Sequence, residues 1–542
     1  MARQKTIGFI NLLAMFLLFS CSSNKNNFSE NNYFNKNYVY NDSLKVGIDF
    51  DKKTTFREVS SVNKKELKAL LKNHKTLSPK NLFLVADSKE NDTETYFFYQ
   101  NIEASNDTKT NFKKVVNDSV NKTVFFEKHK DKRLVSGFVK SISKENKQSS
   151  TTFVNDLMNK ISIDSLNQRK LSFISIFINY LPSVDPNFLY ANKKLATAPL
   201  KANGENSDKF QFMATVNSFM SNNKVYDSLI VGYERERKEK YNSLIADLTK
   251  KEAVFKDKAV FEKVSQIAKE NQVIMLNEDH YYPKHRLFAM QLLETLKANG
   301  YNYLSLEGFN IIDKDYIPNY KNGIYTDEPY FAHFIRKAKE LGFTILGHEN
   351  IDKNTVRELG QAKNIVKILE KDPKAKIFVY VGHGHLEKEG KDPKRMGEWF
   401  KELSGINPIT INQVAICSDN KNDLLLLPRA VVNDSLRKES TVDYFVVNNL
   451  KPSLREIYPN AEFKNSKIKK EIFSAYKNKE VLVDIIDFNE YDLIKNMAIP
   501  VQNFLAVPKN DEINFDLPIG KYHVFIKTGD DKLIYDDNLI VN

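Results

Sequence analysis

The sequence predicts an α/β fold: a parallel-sheet central domain, preceded by an N-terminal α+β region and followed by a small C-terminal antiparallel β module. Four apolar runs lead to the central domain, V-I-M-L-N-E-D-H from Val273, Y-L-S-L-E-G from Tyr303, F-T-I-L-G-H-E-N from Phe343 and I-F-V-Y-V-G-H-G-H from Ile377, each ending in histidine or acid. A helical pattern follows each of the first three and a weaker one the fourth, the repeat that builds a parallel sheet. Short β-prone runs parted by Asn, Asp and Lys turns lie before and after this stretch and read as antiparallel structure.

The chain opens with Arg3, Lys5 and an apolar run from Ile7 to Phe19. That run is too short to span a membrane and suits an export signal over residues 1–20. Leu18-Phe19-Ser20-Cys21 resembles the lipobox of bacterial lipoproteins, with Phe19 in place of the usual small or aliphatic residue. The resemblance implies lipidation of Cys21 and an exported protein anchored to the cell envelope, at the outer membrane or cell surface. An uncleaved anchor or an ordinary secretory signal is the alternative. Residues 21–43, rich in Asn, Ser and Lys, offer too little apolar surface to offset ordering entropy and read as a flexible tether.

Cys21 and Cys417 are the chain's two cysteines. With Cys21 acylated, neither an internal disulfide nor a cysteine metal cluster can form, and hydrophobic burial must supply stability. A chain of 542 residues that is 41% hydrophobic can bury more than one core, and its length suggests about three domains. The net charge of +12 is spread over 81 basic and 69 acidic residues with no long block, so a lysine-rich surface is expected and no nucleic acid partner.

Residues 44–150 read as a small α+β unit with a helix near Lys64 to Lys72, and 151–254 as a helical region with an exposed charged face. The central unit takes 255–450. Pro283 suits the first position of a helix in which Leu287, Met290, Leu293 and Leu296 recur and Gly300 gives the stop. Pro329 opens another. Asn354 or Thr355 is expected to cap a third, whose Val356, Leu359, Ala362 and Ile365 share a face. Arg357 in its first turn opposes the helix dipole, so it either answers a carboxylate such as Glu307 or Glu349 or is simply solvated. Residues 451–542 read as a linker and the β module, where V-L-V-D-I-I-D-F, V-Q-N-F-L-A-V, I-N-F-D-L-P-I-G-K-Y-H-V-F-I-K and L-I-Y-D-D-N-L-I-V are strands.

Six of the nine histidines, at 280, 285, 333, 348, 383 and 385, fall within the central stretch. Ligands of parallel sheets bind at the carboxyl ends of the strands, which is where Glu278, His280, Glu307, His348, Glu349, His383 and His385 should lie. His285 and His333 sit inside helices and read as packing or surface residues, Trp399 and Phe400 as core, and Cys417 as a small buried hydrophobe.

These residues carry a resemblance. N-E-D-H is similar to the G-E-x-H motif, and G-H-G-H-L to the G-x-x-H motif, of the superfamily joining erythromycin esterases, ChaN haem-binding lipoproteins and TIKI/TraB proteins. L-S-L-E-G resembles the strand-terminal glutamate between them, and Arg357 to Asn364 the arginine helix of the esterases. The similarity spans roughly Phe255 to Val414. It implies catalytic roles for Glu278, His280, Glu307, Arg357 and His385, with Asn277 standing where the family has glycine.

Histidine beside carboxylates can act as a base on water. Alternatively Glu278, His280 and His385 would bind a divalent zinc, manganese or cobalt ion that lowers the pKa of a bound water. Either way a hydrolase of an ester or peptide is expected, with a small molecule or peptide as substrate. The resemblance to ChaN implies another reading, an uptake lipoprotein holding haem through Tyr281, Tyr282 or a loop histidine such as His383. A third is an inactive scaffold, with Asn277 marking a retired site.

Overall fold

The computed structural model describes residues 31–542 apart from 36, 51–53, 58, 60–61, 73–76, 89–92, 102–110, 119–122, 131–132, 142–146, 164–170, 182–183, 201–207, 310–315 and 322. Cys21 and the export segment lie outside the described residues. The chain divides into two compact units, the first reaching Asn179 and adding Ala198–Lys201, the second comprising Tyr180–Thr197 and Ala202–Asn542. Among the described residues no helix is long and apolar enough to cross a membrane.

The first unit holds two antiparallel sheets. One, of six strands, runs in the order Thr54–Arg57, Leu82–Ser88, Thr93–Asn101, Arg133–Ser141, Thr123–Lys130, Asn111–Asp118. The other joins Asn32–Asn35, Tyr38–Asn41, Val46–Asp49 and Ile161–Ile163. Within the expected tether of 21–43, Asn32–Asn35 and Tyr38–Asn41 are strands, so the reading does not hold for those residues. Asparagine content misled because here the amides are used inside. Asn41 donates to Asn32 at 2.7 Å, Asn32 donates to the Phe83 carbonyl at 2.7 Å, and Tyr33 and Tyr40 are buried beside them. The expected helix over 64–72 is present as Lys64–Leu71.

The second unit is built on an eight-stranded mixed sheet. In chain order its elements are β1 (Phe255–Lys256), α1 (Lys258–Glu270), β2 (Val273–Glu278), α2 (Pro283–Ala298), β3 (Tyr303–Leu306), α3 (Pro329–Glu340), β4 (Thr344–Gly347), α4 (Arg357–Lys371), β5 (Ile377–Gly382), α5 (Met396–Ser404), β6 (Ile409–Asn412), β7 (Leu424–Pro428) and β8 (Tyr444–Asn448). The strand order is β1-β7-β8-β6-β2-β5-β3-β4, with β8 to β4 parallel and β1 and β7 antiparallel to their neighbours.

The strands are apolar on both faces because helices cover both, as a parallel sheet requires. Ile274, Leu276, Leu304, Leu306, Phe378 and Tyr380 pack with α1, α2 and α3 on one face. Val273, Met275, Ile377, Val379 and Val381 pack with α4 and α5 on the other. Neighbouring β2 and β5 thus send their chains to opposite faces, and the loops diverge to leave a crevice at their carboxyl ends.

Helix α4 begins at Arg357, with Val356 at its N-cap and no side-chain cap bond. Neither Asn354 nor Thr355 caps it, and Val356 is exposed instead of joining the packed face of Ala362 and Ile365. The loop before α4 is occupied otherwise: Asn350 donates to the Asp352 and Thr355 carbonyls, and Asp352 accepts from Thr355 and Asn354.

The C-terminal module has a four-stranded antiparallel sheet, Gln502–Ala506, Val481–Asp487, Gly520–Thr528 and Leu533–Val541 in that order, and a separate ladder of Phe463–Lys469 with Glu512–Pro518. The run expected as one strand from Ile513 to Lys527 is broken at Ile519, its halves serving different sheets. Arg336 of α3 forms a bidentate pair with Glu490, and His333 bonds the Val501 carbonyl at 2.8 Å, so the module is fastened to α3.

Candidate active site

Parallel pairing sets Glu278 opposite Gly382 and Leu306 opposite both Tyr380 and Gly347. The four strand ends therefore discharge onto one rim, and a cleft of about 340 Å3 opens there, lined by Glu278, His280, Glu307, Tyr325, Arg357 and Gly382 among others. That volume is in the range of small-ligand sites.

Period-two alternation points Glu278 to the same face as Ile274 and Leu276, toward α2. There it is buried. Its Oε1 lies 2.8 Å from His280 Nδ1 and accepts from Arg286 Nη2 at 3.1 Å; its Oε2 accepts from Arg286 Nε at 2.9 Å and from the Tyr380 hydroxyl at 2.7 Å. Burial works to raise the carboxyl pKa, but the Arg286 charge and His280 outweigh it and hold it at about 2. Arg286 is itself wholly buried and donates onward to Glu328, the N-cap of α3, at 3.0 Å and to the His280 carbonyl at 2.9 Å.

An ionised carboxylate cannot donate, so His280 Nδ1 is the donor of this contact, and in the tautomer it fixes the lone pair lies on Nε2. The ring stacks on Tyr325 at 3.9 Å, and the Cε1–Nε2 edge lies against Gly382. A Cβ at Gly382 would stand 3.0 Å from both His280 and the Glu307 carboxylate, so glycine is what lets the two side chains meet. Tyr325 comes from the loop between β3 and α3, which the C-terminal module braces: Ile499 donates to the Pro318 carbonyl at 3.3 Å and Tyr320 to that of Met497 at 3.2 Å. Gln211 of helix Asp208–Ser218 also hydrogen-bonds Tyr325.

Glu307 leaves β3 and accepts from the Gly382 amide through Oε2. Its Oε1 takes Arg357 Nη2 and lies 3.2 Å from His385 Nε2. Burial opposes ionisation, yet His385, His280 and Arg357 keep the carboxyl well below the usual range. Arg357 also clasps Glu349 with two bonds of 2.8 and 2.7 Å. Of the two expectations for this arginine, the carboxylate partner is the one realised, with both Glu307 and Glu349.

His385 differs in kind from His280. Its Nδ1 is 2.9 Å from Glu358 and its Nε2 faces Glu307, so both nitrogens bear protons. Burial lowers its pKa, but the two carboxylates prevail and raise it to about 9. It is an imidazolium at neutral pH, not a base. Arg357 Nη1 lies 3.5 Å from His385 Nε2; both atoms are donors, so two cationic N–H groups stand side by side at the rim.

The remaining sequence candidates fall elsewhere. His383 is 70% exposed and does not line the cleft. Tyr281 packs its ring against Phe210 and Tyr233, away from the cleft lining. Tyr282 is buried beside His285. His348 bonds Ser305 at 2.8 Å under the rim, and burial lowers its pKa to about 4. His285 and His333 are buried packing residues, as expected. Asn277 points to the opposite face from Glu278 and is buried. It donates to the His383 carbonyl at 3.1 Å and accepts from the Gln413 amide at 2.9 Å, tying the β5 loop to the end of β6. It does not narrow the cleft.

Among the described residues no group of three or more His, Cys, Asp or Glu side chains is placed to hold a metal ion. The donor set expected for one, Glu278, His280 and His385, does not fit it. Glu278 is saturated by a guanidinium, a hydroxyl and an imidazole, and His385 has a carboxylate on each nitrogen. The haem ligands expected at Tyr281 and His383 are likewise not in the cleft.

No protein-family model matches the chain, and no curated protein matches it. Three solved structures resemble it. The type III effector HopBA1 is 10% identical, covering 35% of this chain and 94% of its own, at a TM-score of 0.23. The haem-binding ChaN of Campylobacter jejuni is 14% identical, over 34% of this chain and 91% of its own, at 0.22. RRSP, a MARTX toxin effector domain from Vibrio vulnificus, is 14% identical over 46% and 59%, at 0.22. The expected resemblance to ChaN is thus present as a weak structural one. At TM-scores this low none of the three fixes what this chain does.

Proposed function

We propose that the cleft is a hydrolytic site for an ester or peptide bond, on an exported, lipid-anchored protein of the cell envelope, and that His280 is its general base. The supporting observation is the asymmetry of the two histidines: Glu278 holds Nδ1 of His280, a residue that lines the cleft with its Nε2 edge beside Gly382, whereas both nitrogens of His385 are committed to carboxylates. Water gives its proton to His280 Nε2 as its oxygen attacks the carbonyl carbon. The carbonyl oxygen becomes an oxyanion beside the guanidinium of Arg357, which Glu307 and Glu349 fix in advance. Collapse of the intermediate breaks the bond to the leaving group, which takes the proton back from His280. Glu278 orients the base and stabilises the imidazolium, in the manner of the acid in a catalytic triad.

The test is turnover of ester and peptide libraries by the full chain and by His280→Ala. Hydrolysis by the wild type that is lost in the variant supports the reading. Equal rates, or no hydrolysis by either, sink it.

A further inference from the structure

Beyond the Glu349–Arg357 pair lies a second depression of about 490 Å3, and Glu349 borders both it and the cleft. Its floor is apolar, made by Tyr303, Leu346 and Ile368. Lys363, Lys367 and Lys371, at successive turns of α4, line it, and so does Ile351, which is 72% exposed. The ion pairs of α4 among the described residues belong to Arg357 and Glu358, and none of these lysines has one. Glu349 is neutralised by Arg357, which leaves Asp352 as the other lining carboxylate. The groove is net positive over a greasy base.

Residues four apart on a helix are about 6 Å apart along its axis. An extended chain presents side chains to one side every ~6.7 Å. We propose that this groove docks an extended polypeptide segment with acidic side chains at alternate positions, threading the neighbouring residues into the cleft. This rests on the hydrolytic reading and names its substrate class as an acidic stretch of polypeptide. A small ester would fill the cleft and leave the lysine row unused.

The experiment uses full-length wild type, K363E/K367E/K371E and H280A, with fluorescein-labelled octapeptides alternating Glu with Val or Gln with Val, read by anisotropy at low and high salt. The Glu-Val peptide should bind wild type and H280A alike, weaken with salt, and bind the triple variant about tenfold less tightly. In turnover assays the triple variant should keep wild-type rates on p-nitrophenyl acetate while its KM for a Glu-Val peptide rises by about tenfold. Equal binding of the two peptides, or wild-type binding by the triple variant, overturns the proposal. So does selective binding of an oligogalacturonate, which would make the groove a site for acidic glycans. Charge-dependent peptide binding without any turnover supports the docking groove and sinks the hydrolytic reading; turnover without such binding does the reverse.

Discussion

The imidazole Nδ1 of His280 lies 2.8 Å from the Glu278 carboxylate, which Arg286 and Tyr380 grip from behind. Orientation, tautomer and charge of the base all pass through that one contact. His280→Ala is expected to lower kcat by about 10²–10⁴-fold. Glu278→Gln should lower kcat with little change in KM, since it disturbs the base and not the substrate contacts. Steady-state kinetics on the best library substrate decides.

Arg286 is wholly buried between Glu278 and Glu328. Arg286→Met leaves two buried carboxylates without their cation, an arrangement that costs about 3–5 kcal/mol. Urea denaturation should show that loss. A change within 1 kcal/mol, below the scale set for a broken buried pair, would mean the network is not structural.

His385 has a folded-state pKa of about 9 against an ordinary value of 6.5. The folded protein holds this proton more tightly than the unfolded chain, so the stabilisation is complete below pH 6.5 and is lost as pH rises through about 9. The size is on the order of 3 kcal/mol. Melts between pH 6 and 10 should fall over that window, and His385→Gln should flatten the fall. Activity should drop on the same limb, because Glu307, which holds Arg357 at the cleft, then loses its imidazolium partner.

Gly382→Ala puts a methyl group 3.0 Å from the Glu307 carboxylate and the His280 ring. Both must shift. Stability should fall by about 1–3 kcal/mol, while kcat falls much further because the base is misplaced. Comparable losses in stability and in ΔΔG‡ would count against this.

Chelation should do nothing to the rate. With Glu278 and His385 already saturated, dialysis against EDTA is expected to leave kcat unchanged, and added zinc should not raise it. A rate that depends on metal, measured alongside metal content, would overturn the assignment of His280 as unaided base.

The strand ends were legible because apolar runs of β-branched and aromatic residues stop abruptly at charged ones, and parallel pairing does the rest. Glu278, His280, Glu307 and His385 meet for that reason, although more than a hundred residues separate the first from the last. Arg286 was not legible: it sits among Leu287, Phe288 and Met290 in a helix, where a cation usually reaches solvent, and only the fold shows two acids waiting for it. Tyr325 sits in a single 3-10 turn, Ile324–Asp327, too short to show a period, and the connection that carries it is braced by Met497 and Ile499 of the C-terminal module. The charge of His385 also needed coordinates, since Glu358 acts on it from a helix whose Arg357 drew the eye. Asparagines failed as a signal at both ends. Those at 32 and 41 are internal struts, and Asn277 turns away from the cleft its motif suggested.

Strand β5 lies between β2 and β3 in the sheet, although β4, at the edge beside β3, precedes it in the chain. A growing polypeptide that has not yet released Gly382 has a gap in the middle of its sheet, no amide for Glu307, and no imidazole at 385 to share that carboxylate. The rim of the cleft therefore cannot be complete in a chain that stops short of His385, and the bracing beside Tyr325 waits longer still, for Met497 and Ile499.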